Sequence, residues 1–314
     1  MPELPEVQTT VNGIVTYVKG LSITDVWTGY NSKFHKGKGN IHDPAYFSVF
    51  KKSVKGSRIT NASRRGKNIL IHLSNDKTIL IHMKMTGHVM YGKYKKLAEK
   101  DFQGEMWRPA DPRDPALNDP FNRFLRVVFS LSDGKHLVLS DMRKFAKVTM
   151  IDTKTAHKSS HLSTHGPEPL EKSFDLTAFK KAVMKKPMGR IKTVLMDPTV
   201  ISGIGNIYSD EILWRAGVHP MQHVKEIASA KSDKWPVMYK AMRETLLRGI
   251  DFGGDSMSDY RNILGLRGKF QDQHKAYRKT GTKCSKPKCR GTIVRLKIGG
   301  RSAHFCDTHQ KLYT

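Results

Sequence analysis

The most distinctive chemistry in this sequence stands at its start, Met1-Pro2-Glu3-Leu4-Pro5-Glu6-Val7. A proline after the initiator methionine is small enough for the methionine to be trimmed off, which makes Pro2 a free secondary amine. α-Amino groups titrate near pKa ~8 against ~10.4 for lysine, so a sizeable share is neutral and nucleophilic at physiological pH. Such an amine can attack an electrophilic carbon and form an iminium, as Schiff-base lysines do. Glu3 and Glu6 add two carboxylates within reach, as proton donor or electrostatic partner. From these seven residues alone, an ordinary helix start is an equally good reading. A second cluster lies at the other end, where all three cysteines of the chain fall. Cys284-x4-Cys289 and Cys306-x2-His309 offer three thiolates and one imidazole, enough for one tetrahedral structural Zn2+. Free thiols and a surface histidine are the alternative, and His304 is a second candidate for the fourth ligand.

The elements around these residues follow from periodicity. Pro5 suits a first helical turn. Val7, Val11, Ile14, Val15 and Val18 recur at helical spacing, and Gly20 is a natural stop. The amine thus sits just ahead of a helix N-terminus, whose partial positive charge disfavours the ammonium form. The chain then reads as β up to about residue 152. Segments 21–27, 69–73, 78–83, 124–131, 136–140 and 147–151 are short, rich in β-branched and aromatic residues, and separated by turn signals. Such spacing predicts a β-sandwich. Residues 101–121, with Asp111-Pro112 and Asp119-Pro120, read as an exposed loop insertion of no clear chemistry, and 157–163 as a polar linker. From Asp175 the pattern turns helical, over 176–185, 190–196, 208–216 and 235–249. A hairpin, 292–297 and 301–305, turns at Gly299-Gly300 between the two ligand pairs. The fold class is therefore α+β and multidomain, with domains at 1–155, 166–275 and 276–314 and a basic cleft expected between the first two.

Composition narrows the partners. The formal charge is +27, from 55 Lys+Arg against 28 Asp+Glu. The basic residues are spread through folded segments, which points to a polyanion, nucleic acid before anionic membrane. No apolar run approaches the ~18 residues of a membrane span, and no secretory signal is expected. Three cysteines make no disulfide framework, so a reducing, cytoplasmic setting fits, nucleoid-associated in a bacterium.

Four internal motifs add to the two ends. Arg64-Arg65-Gly66-Lys67 is a basic turn before a strand, able to bind phosphate or simply solvated. Ile81-His82-Met83-Lys84-Met85-Thr86-Gly87 and Asp141-Met142-Arg143-Lys144-Phe145 each follow a strand. Read cold, Met85 and Phe145 are more often core residues, but a protruding Met, Arg and Phe can also fill the hole left by a flipped base. Ile201-Ser202-Gly203-Ile204-Gly205-Asn206-Ile207-Tyr208 puts glycines and an N-cap candidate, Asn206, ahead of a helix, an anion site or a plain helical connection.

Taken together, these motifs resemble the formamidopyrimidine-DNA glycosylase / endonuclease VIII family of base-excision repair enzymes. The likeness covers nearly the whole chain, with the motifs in family order. It implies that Pro2 is the nucleophile and that Lys67 contacts backbone phosphate. Met85, Arg143 and Phe145 would form the intercalating wedge, although Lys84, Met142 and Ala146 replace a glycine, a proline and a glycine of the family pattern. Asn206 would bind phosphate in a helix-two-turn-helix motif, a segment that His165-Gly166-Pro167-Glu168-Pro169-Leu170 opens. Arg301 would be the finger arginine beside the lesion. The family's finger carries four cysteines, so this chain departs in its x4 spacing and in His309.

The resemblance implies a monomeric bifunctional DNA glycosylase/AP lyase acting on damaged double-stranded DNA, with catalytic residues Pro2, Glu3, Glu6 and Lys67. Residues 201–208 and 165–170 look closer to the formamidopyrimidine branch, which takes oxidised purines such as 8-oxoguanine. An endonuclease VIII-like preference for oxidised pyrimidines and a non-catalytic damaged-DNA-binding protein on the same scaffold are the alternatives.

Overall fold

The computed structural model describes residues 1–99, 106–229 and 234–312. They divide into two compact units, residues 1–163 with 252–269, and 164–251 with 270–314.

The first unit begins with helix α1 (Leu4–Tyr17), whose Val7, Val11 and Ile14 are buried as the stripe predicts. Its strands are β1 (Ile23–Thr28), β2 (Ile59–Arg65), β3 (Asn68–Leu73), β4 (Lys77–His82), β5 (His88–Gly92), β6 (Tyr94–Lys96), β7 (Trp107–Pro109), β8 (Leu125–Leu131), β9 (His136–Ser140) and β10 (Lys147–Asp152). Two four-stranded sheets form, in the orders β1-β8-β9-β5 and β10-β4-β3-β2, and every pairing is antiparallel. Alternation decides which side chains meet. Val127, Phe129 and Leu131 of β8 join Ile69 and Ile71 of β3 and the α1 stripe in one core. Met90, Val128 and Val138 point to the other face of their sheet.

That other face corrects one expectation. Residues 106–121, the described part of the loop insertion read as exposed, cover it with Trp107 and the buried Leu117. Residues 101–105 lie outside the described residues. Leu162 of the expected linker likewise packs on Leu70 and Leu80. The reading of 21–152 as continuous β also needs correction. Helix α2 (Pro44–Val54) interrupts it, started by Asp43, whose carboxylate accepts from Ala45 N–H, and by Pro44 in the first turn. Its aromatic and β-branched residues favour strand by propensity, but Phe50 and Val54 sit one turn apart and are both buried.

The second unit carries α3 (Leu176–Val183), α4 (Ile191–Leu195), α5 (Asn206–Ala216), α6 (Val224–Ser229), α7 (Trp235–Asp251) and the hairpin β11 (Ile293–Ile298) and β12 (Arg301–Cys306). Sequence periodicity anticipates four of these helices and the hairpin, whereas α6 has no expected counterpart. The tongue 252–269, drawn within the helical domain on sequence, clusters instead with the first unit. No helix among the described residues is long and apolar enough to cross a membrane.

Candidate functional site

At the head of α1, Glu3 and Glu6 form a reciprocal capping box. Glu6 Oε2 accepts from Glu3 N–H at 2.7 Å, and Glu6 Oε1 from Asp255 N–H at 2.7 Å. The hydroxyls of Thr10 and Tyr260 donate to the Glu6 carbonyl at 2.9 and 3.0 Å. Pro2, Glu3 and Glu6 are buried, while Met1 is 43% exposed. Burial, with the Glu6 charge adding to it, pushes the Tyr260 phenol well up. Lys67 is half-buried in the two-residue turn joining β2 to β3, where Gly66 takes φ +57. Arg64 ties that turn to α1, donating to Gln8 Oε1 at 3.0 Å and to the Gly66 carbonyl at 3.0 Å.

Met85, Arg143 and Phe145 come together in the lining of a concavity of about 790 Å³, with Met1, Phe34, Lys38 and Lys84 among its other walls. Met85 and Phe145 are exposed rather than core residues, and the Arg143 guanidinium lies 4.6 Å from the Phe145 ring. A buried carboxylate that the sequence reading left without a role, Asp141, holds both loops. Its Oδ1 accepts from Thr86 Oγ1 at 2.5 Å, and its Oδ2 from Ala146 N–H at 2.7 Å and Tyr30 O–H at 3.1 Å. Thr86 in turn accepts from Arg143 N–H at 3.1 Å. Burial, then the neighbouring Asp141 charge, raises the Tyr30 pKa well above the usual phenol value. Gly87 is required in the Met85 loop, because a Cβ there would meet the Met83 carbonyl oxygen at 2.4 Å. The only advance signal for Asp141 was an acid at a strand end; its partners are remote in sequence.

In the second unit, Asn206 is the first residue of α5, and Gly205, not Asn206, is the N-cap. Asn206 Nδ2 donates to Ser302 Oγ at 3.2 Å, which sets the exposed Arg301 beside the α5 N-terminus. Two successive acids of α5 hold the hairpin and the segment that precedes the first cysteine. Asp210 accepts from the fully buried Lys192 at 2.6 Å and from His304 N–H and Nδ1 at 3.0 and 2.9 Å. Glu211 accepts the backbone N–H groups of Lys275, Ala276 and Tyr277 at 2.8–2.9 Å. Burial raises its pKa against the pull of His274 and those amides.

Cys284, Cys289, Cys306 and His309 form a possible metal-binding site, their donor atoms all within 4.8 Å of one another. Cys284 Sγ to His309 Nδ1 is 3.4 Å, Cys289 Sγ to Cys306 Sγ 3.6 Å and Cys289 Sγ to His309 Nδ1 3.7 Å. A tetrahedral zinc with thiolates at 2.3 Å puts neighbouring donors about 3.8 Å apart, so the donor set fits. His309 Nε2 lies 3.1 Å from the Trp214 carbonyl, the outer-sphere bond that fixes a ligating imidazole. His304 is taken up by Asp210.

Residues 1–148 match the family described as the formamidopyrimidine-DNA glycosylase N-terminal domain, and residues 165–261 its H2TH domain. The formamidopyrimidine-DNA glycosylase of Heliobacterium modesticaldum is 32% identical over 99% of this chain and 100% of its own length. The chain belongs to the formamidopyrimidine-DNA glycosylase family. Its enzymes are DNA glycosylases of DNA repair. The Streptococcus pyogenes serotype M3 member is 34% identical over 99% of both chains. Among solved structures, the Lactococcus lactis Fpg in complex with DNA containing an abasic site has a TM-score of 0.77 at 27% identity, over 97% of each chain. The same protein bound to DNA containing Fapy-dG gives 0.76, covering 97% of this chain and 98% of that one.

Proposed function

We propose that the protein removes oxidised bases, 8-oxoguanine and formamidopyrimidines, from duplex DNA and then cleaves the strand as an AP lyase. One observation carries this reading: Met1 lies in the wall of the concavity shared by Met85, Arg143 and Phe145. Trimming Met1 therefore bares the Pro2 nitrogen at that concavity.

In this reading the damaged nucleotide is flipped out, and Met85, Arg143 and Phe145 fill the gap. The Pro2 nitrogen attacks C1′, and the C1′–N bond to the base breaks, its electron pair leaving with the base. Glu3 delivers a proton to the sugar ring oxygen or to the leaving base. Pro2 gives up its N–H proton, which with the Glu3 proton neutralises the base and the ring oxygen; the C1′–O4′ bond breaks with its pair on that oxygen, and the Pro2 lone pair forms an iminium with C1′. The iminium acidifies the C2′ hydrogen, whose loss expels the 3′ phosphate; a further elimination expels the 5′ phosphate. Glu6 holds the helix start, and Lys67, Asn206 and Arg301 take phosphates. One zinc, held by Cys284, Cys289, Cys306 and His309, supplies structure to the hairpin and no step of the reaction. The acting species is a monomer.

Borohydride reduction during turnover should trap a protein–DNA adduct that maps to Pro2, with mass spectrometry showing Met1 absent from the active protein. An adduct on a lysine side chain would overturn the assignment.

A further inference from the structure

The tongue 252–269 is held along its whole length within the first unit. At its near end, Asp255 N–H and Tyr260 O–H bind Glu6, and Gly254, at φ +84, lies so close that a Cβ would stand 2.9 Å from Glu6 Cγ. In the middle, Ile263 seats on the α1 backbone at Gly13, where a Cβ would meet its side chain at 2.3 Å, and its carbonyl accepts from Tyr91 N–H at 2.7 Å.

On either side of Ile263, at Arg261 and Gly265, the tongue is also held by residues 106–122. Arg261 Nε donates to Asp119 Oδ2 at 2.9 Å and its terminal nitrogen to Asp119 Oδ1 at 3.1 Å, a two-pronged pair with the arginine 3% exposed. The guanidinium lies 4.8 Å from the Phe121 ring and donates back to the Ser258 and Tyr260 carbonyls at 3.0 and 2.9 Å. Asn122 donates to the Gly265 carbonyl at 3.1 Å and that of Ala116 at 2.7 Å, and its Oδ1 meets His88 Nε2 at 2.8 Å.

We propose that residues 106–122 are a brace for the reaction centre. Asp119, Asn122 and Arg261 are positioning residues that act through the tongue on Glu6, and through Glu6 on Glu3 and Pro2. This rests on Pro2 being the nucleophile. The tongue contains Gly253, Gly254, Gly265 and Gly268, whose backbone freedom makes ordering it costly. It therefore needs anchors outside itself. The Arg261–Asp119 pair is well suited, because a buried guanidinium is tolerated only where a carboxylate answers it. The Tyr260 hydroxyl bond to Glu6 and the Arg261 bond to Asp119 come from adjacent residues, so a shift of one is passed to the other within a single residue.

The test compares Asp119→Asn, Asn122→Ala and the exchanged pair Asp119→Arg with Arg261→Asp. Single-turnover excision, affinity for lesion DNA, and amide hydrogen exchange at Glu3 and Asp255 are measured on each. Asp119→Asn should slow excision about 10- to 100-fold, the scale on which small misplacements act. Its DNA affinity should hold, and the Asp255 amide should exchange faster. The exchanged pair should recover both excision and protection. Asn122→Ala, which removes no charge, should give a smaller loss of the same kind and serves if Asp119→Asn does not fold. Unchanged excision in both single variants overturns the proposal. So does slowed excision with Asp255 exchange as in the wild type. If the wild type gives no Pro2 adduct, the nucleophile reading has failed, and the claim that Asp119 acts on Glu6 is then decided by exchange alone: faster exchange restored by the exchanged pair upholds it, and unaltered exchange refutes it.

Discussion

In the proposed reaction Glu3 is the proton donor, a role that needs fixed geometry, and it is buried at the N-cap with its own amide bound to Glu6. Glu3→Gln keeps that shape and loses the titrating carboxyl. Base excision should fall by about 10²-fold, the usual contribution of general acid catalysis, while DNA affinity holds. Unchanged single-turnover excision would remove Glu3 from the chemistry. Asp141 has a different task. Its oxygens take three donors, from Thr86, Tyr30 and Ala146, so Asp141→Asn turns one acceptor into a donor facing donors. The variant should lose about 2–3 kcal/mol of stability, as for a hydrogen bond to a buried charge. Urea unfolding measures this, and a fluorescent base beside the lesion should report a weaker wedge. The grouping of the three cysteines with His309, and the Glu3–Glu6 capping box, were legible because residue types and short spacings carry them. Asp141 was not, because Tyr30 and Thr86 stand 111 and 55 residues away from it.

Elements were legible where one periodicity ruled. The α1 stripe, the β3–β4 hairpin and the strands β8 to β10 follow from alternation and turn residues. Helix α2 was hidden because Tyr46, Phe47, Val49 and Phe50 favour strand locally, and packing against the β core outweighs that preference. The placing of residues 106–122 over a sheet face, and of the tongue in the first unit, depends on contacts no local pattern encodes. Those contacts give β5 a pH dependence. Full burial lowers the His88 pKa from 6.5 to about 4, against the raising effect of its Asn122 bond. The unfolded chain takes the proton first, so stability is complete above pH 6.5 and is lost as pH falls toward 4. The loss at this one group is about 3 kcal/mol. Urea unfolding across that range should show it, and His88→Gln should flatten the slope. In the hairpin, His309→Ala should release zinc, whereas His304→Ala should keep it and loosen the tie to Asp210. Metal analysis that found the reverse would put the fourth ligand at His304.

For the molecule as a whole, a charge of +27 sets the electrostatics of binding. Each phosphate neutralised releases counterions, so affinity for any duplex should fall steeply with salt, lesion or no lesion. Arg301 tests how that charge is deployed. It is exposed on the hairpin next to Ser302, which Asn206 holds. Asp210 locks the hairpin to α5 through His304, so Arg301 is presented by a fixed frame and not by a free arm. Arg301→Ala with zinc retained should weaken lesion-DNA binding and reduce the slope of log K against log salt by roughly one unit, the signature of one lost phosphate contact. An unchanged slope would take Arg301 off the DNA. Chelation should produce the same flattening before any unfolding, because the two sheets and the helices bury their own cores while a hairpin of this size depends on its metal. A chelated protein that unfolded in the same step as it lost DNA would show instead that the metal holds the whole second unit, with α5 as the link through the His309–Trp214 bond.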